Sequence, residues 1–112
     1  MVTDKLTLLS NAMQAYTLRA QTTTSNLANL ETPGYKRMSV KFEETLQETR
    51  SLLNDDGALA RVKPNVEVGD DAPILEDEMM DMADTQMRTQ LASRALREHF
   101  DALRMGITGR SG

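Results

Sequence analysis

His99 is the only histidine in 112 residues, and cysteine is absent, so thiolate chemistry has no starting point and imidazole chemistry has one. No serine and acid can be assigned to His99 to complete a hydrolytic set. Its place between Glu98 and Phe100 on a helical stretch reads as structural. Glu78, Asp81 and Asp84 stand three apart and could in principle turn a carboxylate face toward a cation. With no His or Cys nearby, they read instead as a solvated run near the positive end of a helix dipole. Asn54-Asp55-Asp56-Gly57 is acidic and turn-like, but the position five before the glycine, where a calcium loop needs an acid, is Leu52. No glycine-rich loop that could cradle phosphate occurs. The expectation is a non-enzyme with no catalytic, cofactor-binding or metal-ligating residues.

Composition narrows the partners. Thirteen Lys and Arg against seventeen Asp and Glu give a net charge of −4, which argues against nucleic acid, because phosphate neutralisation needs excess positive charge. Lys36-Arg37 with Lys41 is too thin a basic cluster to change that. Met1 to Ser10 includes Asp4 and Lys5 and lacks the apolar run of a cleavable secretory signal. No segment approaches the roughly 20 apolar residues of a membrane span. The expectation is therefore no direct membrane span, no nucleic acid and no small-molecule substrate. The apolar supply is Leu, Ala, Val and eight Met, with two Phe, two Tyr and no Trp, a set suited to helix packing.

The elements that would carry such packing are at the two ends. Leu6, Leu9, Met13, Tyr16, Ala20, Thr23, Leu27 and Leu30 recur at alternating intervals of three and four, the a/d pattern of a coiled-coil seam. This predicts a helix from Asp4 to Leu30, about 40 Å long at 1.5 Å per residue, with Thr3 or Asp4 capping its start. Few charges flank it, so several of its sides are open to packing. Pro33 and Gly34 suit the central positions of a type II turn, and Pro33 disfavours helix at Thr32. From Tyr35 to Pro73 the period weakens: Met38, Val40 and Phe42 alternate like a strand, Glu43 to Leu53 fits a short helix or extended arm, and Ala60 to Val68 alternates around Pro64. A second helix is expected from Ile74 or Leu75, acidic at its start and arginine-rich later, with Met79, Met82, Ala83, Met87, Leu91, Ala95, Leu96, Phe100, Leu103 and Ile107 as its apolar stripe. Gly106 and Gly109 mark its frayed end.

The fold expected is mainly α: two long terminal helices forming a coiled-coil hairpin, with a short irregular or β-hairpin arm between them. Residues 1–34 supply the N-terminal helix and Pro-Gly turn, 35–73 the arm and 74–112 the C-terminal helix, with both termini making one structural domain. Burial along two such stripes falls short of offsetting the entropy of ordering them in isolation. Partner chains are therefore expected to complete the seam through Leu6, Leu9, Met13, Tyr16, Ala20, Leu27 and Leu30 on the first helix. Met79, Met82, Met87, Leu91, Leu96, Phe100, Leu103 and Ile107 would do so on the second.

One stretch carries more than periodicity. The run from Ser25 to Arg37, with Asn26, Ala28, Asn29, Thr32, Pro33, Gly34, Tyr35 and Lys36, resembles the N-terminal signature of bacterial flagellar rod and hook proteins. Its setting is similar to that of the proximal rod members, as is the acidic, Met-rich start of the second helix at Glu76 to Ala83. The resemblance covers residues 1–42 and 74–107 and does not reach the arm. It implies a structural subunit of the periplasmic rod, built into a helical tube by its terminal helices and transmitting torque. It further implies export through the flagellum's own type III apparatus. The partners implied are copies of itself, other rod proteins, and ring-adaptor and export-gate proteins at the rod base. A different reading of the same heptads is a soluble coiled-coil module that docks one partner helix.

Overall fold

A computed structural model of the chain describes residues 2–108. Helix α1 spans Val2–Ala28 and helix α4 spans Leu75–Thr108, 34 residues against 27. Between them come strand β1 (Met38–Lys41), helix α2 (Glu43–Leu52), helix α3 (Asp56–Ala60) and strand β2 (Asn65–Val68). The long helices pack against each other and run antiparallel: Asn26 meets Glu78 at one end, and Leu8 and His99 line one cleft toward the other. The molecule is accordingly a slab, 60 × 31 × 14 Å.

The first helix begins at Val2, before the expected caps, so Asp4 lies within its first turn, where a carboxylate favours the dipole. It ends at Ala28, two residues short of Leu30. There the Asn29 amide donates to the Ser25 carbonyl (2.8 Å), the local side-chain competition that makes Asn a poor helix interior residue. Pro33 and Gly34 then form the type II turn: Tyr35 N donates to Thr32 O at 3.2 Å, and Gly34 has φ +78°, the value that turn requires at its third residue.

The arm is more ordered than its weak period suggested. Strands β1 and β2 pair antiparallel, Met38 opposite Val68 and Val40 opposite Val66, but α2 and α3 fill the connection in place of a tight hairpin loop. Asp55 caps α3, its carboxylate accepting from Ala58 N. The arm lies along α1, with which both β1 and α3 make contact. The apolar core sits there, beneath the arm: Ala15, Val40, Phe42 and Val62 are buried together, with Leu8, Ala12, Tyr16, Leu18 and Leu46 around them. Toward the other end, α4 continues through Gly106, a residue that costs about 1 kcal/mol inside a helix yet does not stop one; Gly109 lies outside the described residues.

Candidate functional site

Helix α1 buries a stripe offset from its leucines. Asn11, Ala15, Thr22 and Asn26 are among its most enclosed residues, and their spacing of four, seven and four keeps them on one face. Along α4 the enclosed positions are Glu78, Thr85 and Ala92, one heptad apart, and His99 continues the series half-buried. Small and polar side chains let the helices approach, and the polar ones must then find partners, because an unpaired buried group costs about 1–3 kcal/mol.

Asn26 finds four. Its amide nitrogen donates to Met38 O (2.8 Å) and to Glu78 Oε1 (2.9 Å). Its carbonyl oxygen accepts from Met38 N (2.9 Å) and the Tyr35 hydroxyl (3.4 Å). Glu78, fully enclosed, accepts from Arg37 Nε at 2.5 Å on its other oxygen, and Arg37 also pairs with Asp81. Burial acts to lower the Arg37 pKa, but the hydrogen bond and charge of Glu78, with Asp81 beside it, outweigh burial and hold it above the ordinary arginine value. One buried junction thus ties together the end of α1, the residues just after the turn and the start of α4. The solvated carboxylate face expected of Glu78, Asp81 and Asp84 is corrected here. Asp81 and Asp84 are half-buried, paired with Arg37 and Arg88, and Glu78 turns inward because Asn26 and Arg37 wait for it.

The turn residues serve the same junction. Thr32 donates its hydroxyl to the Asn29 side chain (3.0 Å), and Lys36 Nζ reaches the Asp70 carbonyl (2.9 Å). Arg37 N and O bond to Asp71 O and Gly69 N, both at 2.8 Å, extending the strand pair beyond β1. So Asn26, Asn29, Thr32, Pro33, Gly34, Tyr35 and Lys36 are the parts of one device for leaving α1 and entering the arm. Residues 6–36 match the family model for the flagella basal body rod protein. The match spans less than a third of the chain. No curated protein matches it.

The matched segment thus coincides with most of α1 and the turn. A second ion-pair group supports the same architecture further along. Arg19 binds Glu43 through two bonds of 3.0 and 2.6 Å, and Arg88, itself held by Asp84 at 2.7 Å, approaches Glu43 at 3.4 Å. Burial pushes the Glu43 carboxyl up, but the hydrogen bond from Arg19 and the charges of Arg19 and Arg88 prevail and hold it below the usual range. At the opposite end a cleft of about 700 Å³ opens between Lys5, Leu8, Leu59, His99 and Leu103. His99 Nε2 and the Thr85 hydroxyl are enclosed without a hydrogen-bond partner among the described residues.

The residues expected to form shared seams divide. Leu6, Leu9, Met13, Tyr16 and Leu27 on α1 and Leu30 just beyond it are half-buried, as are Met82, Leu96 and Leu103 on α4. Ala20 is exposed, and so are Met79, Met87, Leu91 and Phe100. The side chain of Ile107 lies outside the described residues. Asn11, buried on α1, lies outside the seam that apolar spacing selects. Its amide donates to Ala60 O (2.9 Å) and Val62 O (3.0 Å), pinning α3 to α1 as Asn26 pins β1. The available signal was a pair of asparagines on one face of a helix with few charges.

Proposed function

We propose that this chain is a structural subunit of the proximal flagellar rod, of the FlgB kind, assembling helically through its terminal helices and transmitting torque across the periplasm. The observation that carries the reading is the rod-family signature over residues 6–36, folded as a long helix and a fixed turn. Two surface features support it. The outward face of α1, with Ser10, Gln14, Thr17, Ala20, Gln21, Thr24 and Ala28 exposed, carries no charge, so another helix can cover it without stranding an ion. The outward face of α4 exposes Met79, Met80, Met87 and Leu91, apolar surface of the sort that marks interaction sites. On this reading the neighbours are copies of the chain and other rod proteins, with ring-adaptor and export-gate proteins at the base. Delivery is by the flagellar type III route. No helix among the described residues is long and apolar enough to cross a membrane.

The exposed methionines also favour the alternative of a soluble coiled-coil module, since flexible thioether side chains adapt to partner helices. Fractionation separates the two readings. The tagged chain should purify with basal bodies, and Ala20→Glu, at an exposed position, should be expressed and helical by circular dichroism yet missing from them. Recovery only as a soluble heterodimer would overturn the rod reading.

A further inference from the structure

We propose that two copies of the free chain pair through β2, antiparallel and centred on Val66, to make one four-stranded sheet. The hydrogen bonds of the arm show which edge is open. Arg37 O accepts from Gly69 N, so where Met38 faces Val68 and Val40 faces Val66 the backbone groups of both partners point away from the neighbouring strand. On β1 those outward groups are engaged: Asn26 takes Met38 N and O, and Arg19 takes Val40 O. On β2 the outward N–H and C=O of Val66 and Val68 have no partner among the described residues. Such a row is a template for another strand. The two valine side chains, 41% and 66% exposed, share a face with the buried Val40, an apolar strip that a second copy would continue.

The residues around the edge choose the occupant. Arg61 and Lys63 precede Val66, and Glu67, Asp70 and Asp71 follow it; none of the five belongs to an ion pair among the described residues. Parallel copies would set acid beside acid, whereas antiparallel copies set each basic end beside an acidic one. Along β2 every second residue presents its backbone outward, which leaves few registers. Centring on Glu67 opposes two carboxylates. Centring on Asn65 calls on Val62, whose N–H and C=O are held by Leu59 and Asn11, and centring on Val68 calls on Asp70, whose carbonyl holds Lys36. Centring on Val66 sets that residue against its own copy, Asn65 against Glu67, and the Val68 N–H against the Pro64 carbonyl. The contact closes on two copies, so it is a state of the free subunit and stands apart from the rod reading.

The Val66 N–H points away from β1, so its removal tests the contact without touching the existing strand pair. Val66→Pro should keep the helical circular dichroism of the wild type and sediment as a monomer at concentrations where the wild type is a dimer. Leu52→Asp, at a site 83% exposed on α2, should stay dimeric. In the wild type, amide hydrogen exchange at Val66 and Val68 should slow severalfold as the chain is concentrated. With no native cysteine to interfere, Val66→Cys should cross-link to a dimer under mild oxidation, since paired Cα atoms about 5.5 Å apart suit a disulfide. Val68→Cys should not. A monomer at every concentration would hand the edge to a different chain and overturn the proposal. So would growth beyond two copies, a dimer that survives Val66→Pro, or equal cross-linking of the two cysteine variants.

Discussion

The face that α1 turns to the arm and the junction it shares with α4 are joined by different physics. Beneath the arm, Phe42, Val40 and Val62 pack on Ala15, a contact whose strength scales with buried area and is indifferent to small shifts. At the junction, Asn26, Glu78 and Arg37 bond through short, directed contacts. Such groups must be desolvated first, so they contribute less net stability than apolar residues of equal size, but a sliding helix would break them all together. The contrast teaches a division of labour: the arm supplies the cohesion, and the junction sets the register of the long helices and the direction of the chain after the turn.

Four experiments break or sharpen that contrast. The largest effect is expected from Phe42→Ala, which empties the apolar side and should cost about 3–5 kcal/mol in denaturant unfolding. Glu78→Ala should cost about 3 kcal/mol, because it leaves Asn26 and Arg37 short of their buried partner. Adding Asn26→Leu to Glu78→Ala should then cost less than the sum of the two, and strict additivity in the cycle would refute the shared junction. Gly34→Val comes third, at roughly 1–2 kcal/mol. No neighbouring atom lies within 4 Å of a Cβ there, so the loss reports backbone strain at φ +78° alone.

The smallest effect is acid sensitivity. Glu43 has its pKa lowered in the folded state, so its contribution is complete above the unfolded glutamate value of about 4.3. It is lost as pH falls through the lower folded value. Thermal melts from pH 7 to 3 should therefore show wild type losing its advantage over Glu43→Gln below about pH 4. An advantage that persists unchanged at pH 3 would mean the Arg19 pair contributes nothing.

Both long helices and the Pro33-Gly34 turn were legible because their signals are local: heptad spacing, a dipole-matched charge gradient and two residues with restricted or permissive φ. The register of packing was not. Counting apolar residues selects Leu9, Met13 and Met87, while the chain encloses Asn11, Ala15, Thr22 and Asn26 on α1 and Glu78, Thr85 and Ala92 on α4. Asn11 and Asn26 are inside because arm carbonyls at Met38, Ala60 and Val62 take their amide donors, a requirement that appears only once the arm has folded back. For the same reason the pairing of β1 with β2 across two intervening helices was invisible to a scan for short loops. The core expected from partner chains is in part supplied by the arm of the same molecule.

Helix α4 outruns α1 by two turns, about 10 Å at 1.5 Å per residue. The surplus shows at its far tip, where Arg104, Met105 and Gly106 are all open to solvent. On the proposed rod reading, a neighbour arriving there would meet a preformed ledge and grip it while the hairpin stays shut.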